Sequence, residues 1–380
     1  MTYYLLPKTN HPFSIKITIQ NEPLLTYTSH SLFFFYHKIT KQFIHLFTTL
    51  QTSSNHEYPT DFFKDIKNTV FSELLDQDTL NYFKMESISK IFHPYECLFS
   101  NVFISKLQNQ NQKRNFYDFY EIIKTVYLFE NFHKKNIMVL TISPNPESIQ
   151  ECIEFVRDGK KDEISSFESY TYFFKEQEQK KDEKTFDFIF YELDKEKYQN
   201  ENEYIIGLIQ IVILLLKRQK QGGYCMIKID SIFLKPILDM IYLLTSLYEK
   251  TYVMKPTVSN VVTFEKYLIC KNFMDDSLSF SQRQTYYEKL VYYLKKFQEY
   301  REKKTVYISS IVESLLPCYF ISKINDINII IGQQQLDAIH QMIVFFKNNN
   351  KEKINQMTKM HIYKSIKWCE KFKVPHHNGF

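Results

Sequence analysis

Gly222-Gly223-Tyr224-Cys225-Met226-Ile227-Lys228-Ile229 opens the stretch that decides the fold, and Glu265-Lys266-Tyr267-Leu268-Ile269-Cys270-Lys271-Asn272-Phe273 closes it. Between Gly222 and Phe273 the residues read as a Gly-Gly turn, an apolar strand, an apolar helix and two more short strands. Three ionisable side chains stand where such segments are dry: Lys228 inside the first strand, Lys255 before Pro256 at the end of Thr251-Tyr252-Val253-Met254, and Glu265 at the start of the last. A charge on a core strand costs free energy unless it is paired or faces a cleft at a strand end. The search for chemistry starts with these three residues.

Working outward, the apolar spacing of Phe119, Ile122, Ile123, Val126 and Phe129 predicts a helix from about Asn115. Ile137-Met138-Val139-Leu140-Thr141-Ile142 follows as a buried strand, then a turn at Ser143-Pro144-Asn145-Pro146 and a helix from Glu147 to Val156. A second strand spans Phe186 to Tyr191, and a helix from about Asn202 to Gln219 leads back to the Gly-Gly turn. Strands alternating with helices predict an α/β fold, a parallel sheet with helices on both faces and its ligand at the carboxyl ends of the strands. Residues 1–90 lack a chemical motif and read as an N-terminal accessory region, 91–275 as the α/β domain, and 276–380 as a basic helical C-terminal region. That last region includes helices over 332–347 and 351–371.

The whole chain sets bounds on class. It has 380 residues, 44% of them hydrophobic, enough for a substantial core. With 34 Phe and 28 Tyr but only 6 Gly, it is short of the residue that phosphate and nucleotide loops usually need. The six cysteines are scattered, and His376-His377 has no further ligands nearby, so neither a metal site nor a disulfide framework is expected. The longest apolar run, Ile205 to Leu216, is too short to span a bilayer, and no signal peptide is expected at the start. The reading is a protein of the cytoplasm. Net charge is +5, and from Asp276 onward 16 Lys or Arg stand against 9 Asp or Glu, which suits a polyanionic partner.

The order and spacing of Gly222-Gly223, Lys228, Lys255-Pro256 with Ser259, and Glu265 resemble the FtsJ/RrmJ family of ribose 2'-O-methyltransferases, which includes viral and eukaryotic mRNA cap-1 enzymes. The resemblance covers about Pro94 to Phe273. The tail from Ser365 to Pro375 is similar to that of the large cytoplasmic DNA virus members. It implies a Rossmann-like S-adenosylmethionine methyltransferase sheet, with capped RNA as substrate and a Lys-Asp-Lys-Glu tetrad that activates a ribose 2'-hydroxyl. On that pattern Lys228 is the central lysine and Glu265 the final glutamate, Glu192 stands at the aspartate position with Asp194 two residues on, and Asp118 stands at the first lysine. The cofactor loop maps onto Thr141, Ser143, Asn145, Pro146 and Glu147, and RNA contacts map onto Lys255, Ser259 and Asn260.

Two departures carry weight. The family's cofactor loop is Gly-rich, whereas Thr141 to Ser148 contains no glycine, and Asp118 reverses a charge. The reading is a catalytically degenerate member that keeps the fold as an RNA-binding module, a partner of capping or transcription complex proteins in host cytoplasm or virion. The alternative is an active S-adenosylmethionine-dependent cap 2'-O-methyltransferase using Lys228 and Glu265.

Overall fold

The computed structural model describes residues 2–9, 13–52, 92–99, 114–171, 173, 184–193, 201–274, 280–301, 306–347 and 351–376. Asp194 lies outside them. In chain order the regular elements are β1 (Thr2–Leu5), β2 (Ile15–Gln20), α1 (His30–Thr52), α2 (Arg114–Val126), β3 (Met138–Ile142) and α3 (Pro146–Val156). Next come β4 (Glu163–Phe167), β5 (Phe186–Glu192), α4 (Glu201–Arg218), β6 (Gln219–Ile229), α5 (Lys235–Leu247), β7 (Tyr248–Lys255) and β8 (Lys266–Phe273). The chain ends with α6 (Phe280–Arg301), β9 (Tyr307–Val312), α7 (Cys318–Lys347) and α8 (Lys351–Phe372). Two compact units emerge: Met1–His30 with Ile122–Pro256 and Glu265–Asn328, and Ser31–Glu121 with Thr257–Phe264 and Ile329–Phe380.

The first unit is built on a seven-stranded sheet of order β1-β7-β8-β6-β5-β3-β4. Strands β4, β3, β5 and β6 run parallel, β8 runs antiparallel to both β6 and β7, and β1 pairs antiparallel with β7. The sheet is thus Rossmann-like α/β, as expected, with two reversed strands that the parallel expectation lacked. From β3 the chain moves through α3 to β4 in one direction, and from β5 through α4 to β6 in the other. Right-handed crossovers travelling in opposite directions place α3 and α4 on opposite faces.

Burial on both faces explains the apolar strands. Phe186 to Tyr191 are all buried, and so is nearly every residue of α5. Helix α4 buries Ile205, Leu208, Ile209, Ile211 and Val212 through Leu216. It carries Glu201 and Glu203 in its first turn and Lys217 and Arg218 in its last, charges that suit the helix dipole.

The Gly222-Gly223 pair does not precede β6 but lies inside it. The β5 and β6 register jumps between Phe186↔Gln219 and Phe188↔Tyr224, so the glycines form an extended bulge. Gly222 has φ +72, and a Cβ on Gly223 would stand 2.7 Å from the Lys220 carbonyl oxygen and 3.0 Å from that of Asp187. Helix α7 begins earlier than expected, at Cys318, because the Pro317 carbonyl accepts from the amides of Phe320 and Ile321. Strand β4 is short and carries Ser165-Ser166, a pattern without strand alternation.

At the amino edge of β5 a carboxylate locks the sheet. Asp187 accepts from the Met138 amide at 2.9 Å and is flanked by the ammoniums of Lys220 at 2.9 Å and Lys135 at 3.1 Å. Burial alone would raise its pKa, but the Met138 amide and the two lysines outweigh burial and hold it below the usual carboxylate range. A depressed folded pKa contributes stability that is present above the unfolded value of about 4 and is lost as pH falls through the folded value. Asp187→Asn is expected to flatten the acid limb of the stability curve below about pH 4. It should cost about 1–3 kcal/mol near neutrality, and urea titrations at stepped pH check both. An unchanged acid slope rules out this assignment.

In the second unit, the buried carboxylate of Glu121 accepts from the Thr257 amide at 2.8 Å, from the Thr257 hydroxyl and from the indole of Trp368 at 2.9 Å. The Tyr36 hydroxyl donates to the Val262 carbonyl and the Gln335 amide to that of Thr263, both at 2.7 Å. Segment Thr257–Phe264 is therefore pinned from α1, α2 and α7, and Trp368 of α8 holds the Glu121 carboxylate in place. No helix among the described residues is long and apolar enough to cross a membrane.

Candidate functional site

Strands β3, β5, β6 and β7 all point their carboxyl ends at one edge of the sheet, and reversed β8 brings its amino end to the same edge. Five sequence-predicted residues converge there within the first unit. Glu192 ends β5 and is the register partner of Lys228 on β6, and Glu265 immediately precedes β8. Lys228 Nζ donates to Glu192 Oε1 at 2.7 Å and lies 3.7 Å from Glu265 Oε1. The three side chains are 11%, 11% and 21% exposed, so the charges attract through a partly dry medium. Lys255 is buried and donates to the Glu265 carbonyl at 3.1 Å, closing the neck of the excursion from Pro256 to Phe264.

Ser143, just past β3, is the fifth. Its hydroxyl donates to Glu192 Oε2 at 2.6 Å, and its amide donates to the Phe167 carbonyl at 3.0 Å. The Glu192 carboxylate is thus shared between Lys228 on one oxygen and Ser143 on the other. Strand order reverses between β3 and β5, the switch point where ligands enter sheets of this kind. Here the two strand ends are laced together by the Ser143 to Glu192 hydrogen bond.

The other cofactor-loop candidates have structural duties. The Thr141 hydroxyl donates to Ser166 at 2.8 Å across β3 and β4. Asn145 precedes α3, and its amide donates to Ser143 Oγ at 3.2 Å. Pro146 is the first residue of α3, where its missing N–H is no loss, and Glu147 is an exposed acid in the first turn. Proline has no amide hydrogen to offer at 144 or 146, and those of Ser143 and Asn145 are already donated. With no glycine, and with no free backbone donor from Ser143 to Pro146, this loop does not fit S-adenosylmethionine.

Asp118, Ser259 and Asn260 belong to the second unit and are buried. A His93 ring nitrogen hydrogen-bonds the Ser259 carbonyl at 2.8 Å, and Asn260 Oδ1 accepts from the Val262 amide at 3.2 Å. Among the described residues no three His, Cys, Asp or Glu side chains cluster as metal ligands would.

The arrangement supplies a fixed ammonium between carboxylates, suited to donating a hydrogen bond to a ligand oxygen. The Ser143 and Lys255 contacts were not legible in the sequence, because a serine after a strand and a lysine before a proline have no pattern that names their partners.

No family model matches the chain, and no curated protein matches it. Among solved structures it is similar to a crystal structure from Plasmodium falciparum, provisionally assigned as a ribosomal RNA methyltransferase. That likeness has 19% identity and a TM-score of 0.32, covering 43% of this chain and 98% of that one. A score of that size establishes neither family nor activity.

Proposed function

We propose that the protein is an FtsJ-like RNA ribose 2'-O-methyltransferase relative that has lost turnover and acts as an RNA-binding module. Its setting would be a capping or transcription complex, in the cytoplasm or a virus particle. One observation carries the loss of turnover: from Ser143 to Pro146 each backbone amide is either hydrogen-bonded or a proline nitrogen, and Ser143 ties that loop to the carboxylate of Glu192. The RNA reading rests on the family resemblance and on the basic C-terminal region. Activity is the second reading, favoured by the ion pairs of Lys228 with Glu192 and Glu265.

Three measurements on the full chain separate the readings. Calorimetry with millimolar S-adenosylmethionine is expected to show no binding, and labelled methyl transfer to capped RNA is expected to stay at background. RNA binding is expected to weaken linearly in log affinity against log salt. Methyl transfer abolished by Lys228→Ala would establish the active enzyme instead. Absence of RNA binding at low salt would overturn the module.

A further inference from the structure

Helix α8 has two contrasting sides. His361, Ser365, Trp368, Cys369 and Phe372 are buried within the second unit. The opposite side carries Lys359, Tyr363, Lys364, Lys367 and Lys371, with Glu370 the only acid between Asn355 and Lys371. At 3.6 residues per turn these residues fall within one half of the helix surface, and successive members four apart rise by roughly 6 Å. A lysine face alone is most simply a solvated one. Tyr363 is what sets this one apart, because its ring is 61% exposed in the middle of the lysines and Lys367 Nζ lies 5.7 Å over it. Exposed rings occur elsewhere, as at Tyr292, but a ring flanked by four lysines of one helix face offers what a single-stranded polynucleotide needs: cations for phosphates and a flat surface on which a base can stack.

We propose that the outer face of α8 is a binding surface for single-stranded RNA, with Lys359 on one phosphate, Lys367 and Lys371 on phosphates beyond it, and Tyr363 stacking a base between Lys359 and Lys367. The proposal rests on the RNA-binding reading above and names the surface that carries it. Glu370, paired with Lys367 at 2.9 Å, competes with the phosphate and keeps affinity dependent on salt. A duplex hides its base faces, so the single strand is the preferred form.

The test is fluorescence anisotropy of a labelled oligouridylate with the full-length protein, run as a salt series. Each neutralised phosphate on a single strand contributes about 0.7 to the slope of log affinity against log salt, so Lys359→Gln/Lys367→Gln/Lys371→Gln should reduce that slope by about 2. Tyr363→Ala should weaken binding about 5- to 100-fold with the slope unchanged, and Tyr363→Phe should restore it. Trp368 is the only tryptophan and lies on the buried side of the same helix, so an unchanged emission spectrum certifies that each variant is folded. Wild-type binding that the triple variant leaves intact overturns this surface while leaving the RNA-binding reading standing. No wild-type binding removes both. Loss in the triple variant with Tyr363→Ala silent, or equal competition by heparin, reduces the face to a polyanion sink and overturns the proposal.

Discussion

Asp239→Ala is expected to cost about 3–5 kcal/mol and to lower the melting temperature by about 10 °C. Asp239 lies on α5, is fully buried and is 2.9 Å from Lys235 Nζ through both carboxylate oxygens. Its Oδ2 also accepts from the Ser310 hydroxyl at 2.9 Å and from the amides of Ile311 at 2.7 Å and Val312 at 3.2 Å. One side chain therefore anchors β9 to the helix that follows the Lys228 strand. Truncation leaves two buried amides without their acceptor, each a full desolvation penalty, and strips a partly buried ammonium of its counter-charge, leaving it the Ser310 hydroxyl at 2.8 Å. Lys235→Ala should cost less, because the carboxylate keeps three donors. A double-mutant cycle by urea unfolding measures the coupling, and a loss below about 1 kcal/mol for Asp239→Ala would mean the group behaves as a surface pair.

Arg157→Ala is the second large effect, again about 3–5 kcal/mol. The Arg157 and Asp162 side chains are 4% and 7% exposed. The guanidinium grips Asp162 with Nε and Nη2 together, and its remaining donors reach the Phe132 carbonyl at 3.1 Å and the Lys135 carbonyl at 2.8 Å. Asp162 in turn accepts from the Ile137 amide at 2.9 Å. The pair therefore fixes the loop that delivers the chain into β3 and, through β3, to Ser143. Arg157→Lys should recover less than half of the loss, since a lysine cannot fork between two oxygens and two carbonyls. Denaturant unfolding together with limited proteolysis across 132–137 tests this. Full rescue by lysine would show that charge alone matters and would refute the geometric account.

Much of the sheet was legible because its strands are buried on both faces. Val139 to Ile142, Phe186 to Tyr191 and Tyr224 to Ile227 are apolar runs that no exposed segment would carry, and a helix separates each from the next. Lys228, Glu192 and Glu265 stood out as charges within or at the ends of those runs, and they meet. Strand β4 was not legible because an edge strand with Ser165-Ser166 follows no clear period. The bulge at Gly222-Gly223 looked like a turn because both conformations ask for glycine. Asp239 went unremarked because its partners at 310–312 lie far along the chain and include backbone amides, which have no sequence signature.

By itself the sequence determined the α/β alternation, the approximate bounds of most helices and strands in the sheet domain, and which charged side chains sit among apolar neighbours. All of these follow from local composition and period. Only the tertiary structure decided what those charges do. Hydrogen bonds between strand ends depend on which strands become neighbours, so it took the fold to join Ser143 to Glu192 at the switch point and to spend the amides of the loop beside it. It took the same folding to bury one side of α8 and leave Tyr363 among lysines on the other.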